Sequence, residues 1–557
     1  MFSPFGVLCF GQLLAENDNS VENPLYILLR GETPQLQFLI ELYPWNSLKD
    51  VEFNFLPAPF GALSFGAIQA GVASGAVDTI YLSDMTFITT PEDDPANQYF
   101  APVVNNPLQF DLSVLRGETL GTNTTSFGAI QIQNGDKELD HLASMNWGGR
   151  RIVVKAGGKD FAYTDYSVIF DGLCNTIEFD DRTITITVQD KGLRLEQPII
   201  SPKFAGTGGL EGGDDIANRM RPLIYGRVFN FEPVLVDPVN LVYSVHAWSI
   251  EEISAVFDAG VALTLDDDYT DITTASPAAG HYATSLASGY IKLGSTPAGR
   301  ITLNAKGDNV DGYSGTVSGI CYKILTNLFG NESYHPTELD LGSFNALSDQ
   351  LPQEVGLVVT DQRTMRSIID DLLTPYLAYW VFTRPGLFSP RYIDTEGVPV
   401  ATITPDFVSE DGIQMLTVVE PAWRISVGYA PVSTVQKEDE IAGGATEAQR
   451  SFVGNEFRFI SYEDIAVKRT NTRAQERIFY TSFATKEAAE ELLARLLRVY
   501  GRERKIYRGV GYNSLYRFYL GDKVKLDYPR YNLNKEVVVL GISEDAETKA
   551  TTLDLWG

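Results

Sequence analysis

Between Gly121 and Leu195 apolar and polar residues alternate in runs tied by glycine and acidic turns. The run Phe127–Gln133 alternates at period two and ends at Asn134-Gly135-Asp136, and Arg151–Lys155 makes the next run. Ile177–Phe179 and Ile184–Val188 then flank Asp180-Asp181-Arg182. Alternation with turn residues at the gaps predicts antiparallel strands. Two stretches switch to the helical period. Met365, Ile368, Ile369, Leu372 and Leu373 fall on one stripe, which predicts a helix capped by Thr360. Leu492, Leu493, Leu496 and Leu497 predict a second, capped by Thr485 and stopped by a left-handed Gly501. The polar stretch Gln436 to Arg450, with Gly443-Gly444, reads as a solvent loop.

This patterning divides the chain into four segments. Residues 1–205 are β-rich, and residues 206–310 form a smaller β unit opened by the glycine-rich run Gly206 to Gly213, read as a hinge. Residues 311–405 mix helix and strand, and residues 406–557 return to strands around one amphipathic helix. The expected fold class is mainly β and multidomain, α+β overall, with smaller β and helical accessory domains.

Charge narrows the functional classes. With 44 basic and 72 acidic residues the net charge is -28, so the surface repels phosphate and sequence-specific nucleic-acid binding is not expected. Cys9, Cys174 and Cys321 are too few and too far apart for a disulfide framework or a cysteine zinc site, and read as buried thiols. Met1 to Leu14 lacks the basic start and cleavage site of an export signal. Phe53 to Val77 is uncharged but broken by Pro57, Pro59 and four glycines, which favours packing against protein over a bilayer span.

Chemistry-bearing patterns are sparse. His141, His246, His281 and His335 are scattered, with no HExxH pair. The Gly206 to Gly213 run lacks the lysine of a phosphate-binding loop. Asp266, Asp268 and Asp271 are spaced for a hard cation but lack the glycine and distal glutamate of an EF-hand, so a solvated turn is expected. No catalytic residue, cofactor or metal is assigned.

One local anomaly stands against the acidic background. Lys486, Arg495, Arg498, Arg502, Arg504, Lys505 and Arg508 cluster on the second helix and its exit. They make either a solvated face paired with Glu487, Glu490, Glu491 and Glu503 or a subunit interface for an acidic copy or neighbour.

Several short motifs follow one another along the chain. Asp93–Asn97 with Tyr99-Phe100 is followed by Leu139-Asp140 and Leu142, Gly149-Arg150, and Phe170 with Gly172. Gly208-Gly209 with Glu211-Gly212, Arg221–Val228, Gly521-Asp522 and the closing Leu555-Trp556-Gly557 continue the series. Their order resembles tail-tip structural proteins of long-tailed bacteriophages, the distal-tail and baseplate-hub family. The resemblance covers about residues 30 to 300 and the final hundred. It implies a virion component, made in the host cytoplasm, that forms a homo-oligomer, trimeric in preference to hexameric. It also implies tube-forming β-barrel or sandwich hub domains that contact tail-tube or distal-tail proteins on one side and fibre or receptor-binding proteins on the other. A wall-degrading virion enzyme and a receptor-binding tail protein are the alternatives.

Overall fold

The computed structural model describes residues 23–29, 35–46, 76–116, 119–120, 127–326, 333–393, 395–410, 412–512 and 515–557. The chain is mainly β, with a large sheet, two five-stranded sheets and several smaller ones. Cys9 and the Met1 to Leu14 stretch lie outside the described residues. So does the apolar stretch from Phe53, except Ala76 and Val77, which pair with Asn46 and Trp45.

The alternating runs form the first half of the large sheet. Thr183–Gln189 lies antiparallel between Phe127–Gln133 and Ser167–Phe179, with Ile130 opposite Ile186 and Ile132 opposite Ile184. These isoleucines are fully buried. Because side chains alternate with period two, a slip of one residue would turn both isoleucines of the slipped strand to the other face, and this fixes the register. Arg151–Gly158, Leu36–Leu42 and Ile80–Ser83 extend the sheet beyond Ser167–Phe179.

On its other side the sheet runs into the end of the chain. Gln109 to Ser113, in the strand Val104–Ser113, pairs with Gly541 to Asp545 in Leu533–Asp545. Ala550–Trp556, Arg504–Tyr512 and, at the edge, Ile413–Val419 follow in order. Fifteen strands thus share one hydrogen-bonded sheet drawn from both ends of the sequence. The first half encloses a core that includes Phe38, Ile152, Val154 and Val188, and the second half packs with the helices on another core.

Residues 223–308 build two facing five-stranded sheets around Val228, Phe231, Val245, Val256 and Leu303. One of these sheets borrows Gly356–Val359, which pairs with the start of Leu223–Phe231. At that seam Gly226 has φ 61°, and a Cβ there would meet the Val355 carbonyl oxygen at 2.0 Å. Only glycine fits, on both counts.

Four sequence expectations need correction. The helix Met365–Leu373 is capped by Thr364, not Thr360: the Thr364 hydroxyl accepts the Ser367 N–H at 3.1 Å. The stripe Met365, Ile368, Ile369, Leu372 and Leu373 is buried as read. Gly501 ends its helix in right-handed geometry, φ −74° and ψ −1°. A Cβ there would lie 2.4 Å from the Leu497 carbonyl oxygen, so small size, not handedness, is what glycine supplies. The stretch Gln436 to Arg450 is not all solvent loop. Thr446 caps a helix, Glu447–Val453, and buried Gln436 accepts from Asn230 Nδ2 at 3.2 Å. The Gly206 to Gly213 run, read as a hinge, is a folded loop held by bonds within it and to Arg221. Its Gly208 N–H donates to the Gly212 carbonyl at 2.7 Å, and Glu211 pairs with Arg221 at 2.5 Å.

Candidate interaction site

The helix Lys486–Tyr500 positions the basic cluster. Thr485 accepts the Ala488 N–H at 3.3 Å, and Ala489, Leu492, Leu496 and Val499 are buried on the face that packs against the strand Ala422–Tyr429. That leaves Lys486, Arg495 and Arg498 on the other side, and the chain then enters Arg504–Tyr512.

The sequence cluster divides in two once contacts are traced. Lys486 pairs with Glu490 at 3.0 Å, Lys505 with Glu503 at 3.7 Å, and Arg508 holds Asp554 with two bonds of 2.7 and 2.9 Å. Arg495 donates to the Gln350 carbonyl at 2.8 Å and lies over the Tyr392 ring. Arg498 reaches Glu396 at 3.1 Å. These are mostly exposed pairs, each worth about 0 to 1 kcal/mol. Arg502 and Arg504 are different: among the described residues no carboxylate is paired with either.

Those two arginines border a cavity of 280 Å³, also lined by Arg498, Lys523, Glu536 and Trp556. The Arg504 guanidinium lies 4.8 Å from the Trp556 ring centroid and donates to the Arg498 carbonyl at 2.7 Å, while its Nε is buried without a partner. Burial, then the charge of Arg502, pushes Arg504 below its ordinary value. Lys535 is lowered by burial and then by Lys505 and Arg504. Lys523 is 10% exposed and pairs with Glu536 at 2.6 Å. Sequence reasoning missed Lys523, Glu536, Trp556 and Glu396. They come from strands and a loop remote along the chain, and no local spacing announces them.

The remaining candidates fall into structural roles. His141, His281 and His335 each bond a near neighbour, through the Glu138 carbonyl, the Ala279 carbonyl and the Thr337 hydroxyl. His246 is fully buried. Its Nδ1 accepts the Ile224 N–H at 3.0 Å, which places the ring proton on Nε2, 3.5 Å from Asp308 Oδ1. Asp308 also binds Lys323 and Trp248 Nε1, both at 2.5 Å, beside a cavity of 400 Å³. Burial acts to raise Asp308, yet these donors outweigh it and hold the carboxyl below its usual range. Asp268 accepts from Thr284 and Leu286, and Asp271 caps a short turn at Thr273. Cys174 and Cys321 are buried free thiols. Among the described residues no group of three or more His, Cys, Asp or Glu is placed to hold a metal, and no helix is long and apolar enough to cross a membrane.

No protein-family model and no curated protein matches the chain. Solved structures similar to it include the tail protein from Neisseria meningitidis MC58, 8% identical with a TM-score of 0.37, covering 82% of this chain and 95% of that one. Prophage tail protein gp18 from Listeria monocytogenes EGD-e is 9% identical with a TM-score of 0.37, covering 82% and 90%. A chain of the native gene transfer agent virion is 13% identical with a TM-score of 0.38, covering 65% and 90%.

Proposed function

We propose that this chain is a structural component of a bacteriophage tail tip. It is a hub or distal-tail protein of the virion that joins the tail tube to host-recognition proteins and surrounds the channel through which DNA leaves. The observation that carries the reading is the large sheet, which among the described residues has fifteen strands and open ends. Among the described residues the edge strand Ile413–Val419 has a ladder partner on one side only, and it exposes Met415 and Leu416. An apolar open edge invites pairing and is ordinarily covered. Rotationally related copies that present heterologous surfaces cover such edges by closing a ring around a channel. The order of motifs shared with tail-tip proteins supports the same reading, with three copies favoured over six.

In this reading the chain works by assembly and has no reaction of its own. Cryo-electron microscopy of intact particles tests it: density for this chain is expected as a ring around the channel at the tail tip. Particles that lack the chain, or carry it in the head, would overturn the reading. A zymogram against cell-wall glycan separates the enzyme alternative, and adhesion of the purified chain to host cells separates the receptor-binding one.

A further inference from the structure

We propose that the cavity bordered by Arg502 and Arg504 is a docking pocket for a carboxylate side chain of a second copy of this chain. The proposal deepens the ring-forming reading above and rests on it.

Charge balance within the cavity is the starting point. Four cations, Arg498, Arg502, Arg504 and Lys523, face two carboxylates, Glu396 and Glu536. Both carboxylates are already committed, to Arg498 at 3.1 Å and to Lys523 at 2.6 Å. Two guanidinium groups, Arg502 and Arg504, remain on the lining of the same cavity, and burial, then the charge of Arg502, lowers Arg504. In a chain of net charge -28, no carboxylate among the described residues is paired with Arg502 or Arg504.

Geometry makes the pocket receptive. Stacking on Trp556 and the bond to the Arg498 carbonyl fix the Arg504 guanidinium before any ligand arrives. The Arg504 guanidinium borders the cavity and its Nε is buried without a partner, so a carboxylate seated against the guanidinium meets a charge that no carboxylate among the described residues pairs with. The planar fork of arginine matches a carboxylate with two parallel bonds. The cavity of 280 Å³ admits an aspartate or glutamate side chain. A second copy supplies such groups in exposed runs: every residue of the edge strand Thr264–Asp268 is exposed.

Sedimentation velocity of the full-length chain at about 50 and about 500 mM salt tests this, since exposed charge contacts weaken as the screening length shortens. Wild type is expected to associate at low salt and dissociate at high salt. Arg502→Gln leaves the stacking and carbonyl bond of Arg504 untouched, so it should fold normally while weakening association roughly tenfold. Arg502→Gln with Arg504→Gln should abolish association, and a polyglutamate peptide should compete in wild type. A chain that is monomeric throughout, or association unchanged in Arg502→Gln and the double variant, would overturn the proposal. So would competition by inorganic phosphate in place of polyglutamate, which would mark a phosphate site. Normal rings in particles built from the double variant would sink the pocket alone, whereas absence of the chain from particles sinks the tail-tip reading.

Discussion

Asp308 gathers Lys323, Trp248 and the edge of His246 in one buried cluster, and His246 gives that cluster a pH signature. Burial holds the imidazole below its ordinary value of 6.5, despite the attraction of Asp308. The folded state therefore binds fewer protons than the unfolded one below that pH. The stability contributed by neutral His246 is complete above about pH 6.5 and drains as the pH falls below it. Asp308 acts in a lower window, contributing above its unfolded value of 3.8 and losing that contribution as the pH falls through its depressed folded value. Urea unfolding at about pH 7.5 and about pH 5.5 should show a loss for wild type and a smaller loss for His246→Gln, which keeps an acceptor for Ile224. Equal losses would mean that His246 does not carry the effect. A second residue-scale expectation concerns Arg384 and Glu544, which are 10% and 7% exposed and 3.2 Å apart. Arg384 also donates to the Tyr516 and Phe518 carbonyls, tying the helical segment to the last strands. Arg384→Met strands a buried carboxylate and should cost about 3 to 5 kcal/mol, with much of it recovered in the double variant Arg384→Met, Glu544→Gln. No recovery in the double variant would show that packing, not charge, carries the cost.

At the scale of elements the helix Lys486–Tyr500 gives the sharpest expectation. Leu496 is fully buried against the core, and a buried leucine cut to alanine costs about 2 to 5 kcal/mol. Urea unfolding of the full chain with Leu496→Ala should report that loss, and an unchanged midpoint would place the side chain outside the core. This helix was legible because its stripe, cap and length agree. Thr364 was misplaced because Thr360 and Thr364 both precede the same stripe, and only the extended backbone at Thr364 decides between them. Alternation revealed strands such as Phe127–Gln133 and Thr183–Gln189, since one buried face imposes period two. It could not reveal which strand lies beside which. The pairing of Leu112 with Ile542 is set by packing of whole segments and leaves no trace in either local pattern. The candidate pocket was half legible for the same reason. Its arginines are neighbours in sequence, whereas Lys523, Glu536 and Trp556 are brought in by the sheet.

For the whole molecule, charge governs association. Identical subunits of net charge -28 repel at long range, so their contacts need local cations. Reversing Arg498 and Arg502, both exposed, to glutamate should leave the monomer folded, because exposed charges contribute only about 0 to 1 kcal/mol, while impairing incorporation into tails in the proposed reading. Complementation of a phage lacking this protein, scored by electron microscopy for complete tips, checks it. A normal yield of complete, infectious particles would reduce the patch to a solvated face.

The junction of Val104–Ser113 with Leu533–Asp545 also sets a schedule for the birth of the protein. Asn106 and Glu547, whose side chains bond across it, are 441 residues apart. A ribosome adds about 5 to 20 residues per second, so the earlier strand leaves the exit tunnel and waits on the order of tens of seconds for its neighbour. Throughout that interval an unpaired edge is open to other nascent chains. Chains arrested before Leu533 should accordingly bind a holding chaperone and be cut by protease near Val104–Ser113, whereas full-length chains resist. Equal resistance in arrested and complete chains would show that the early strands mature without their late partner.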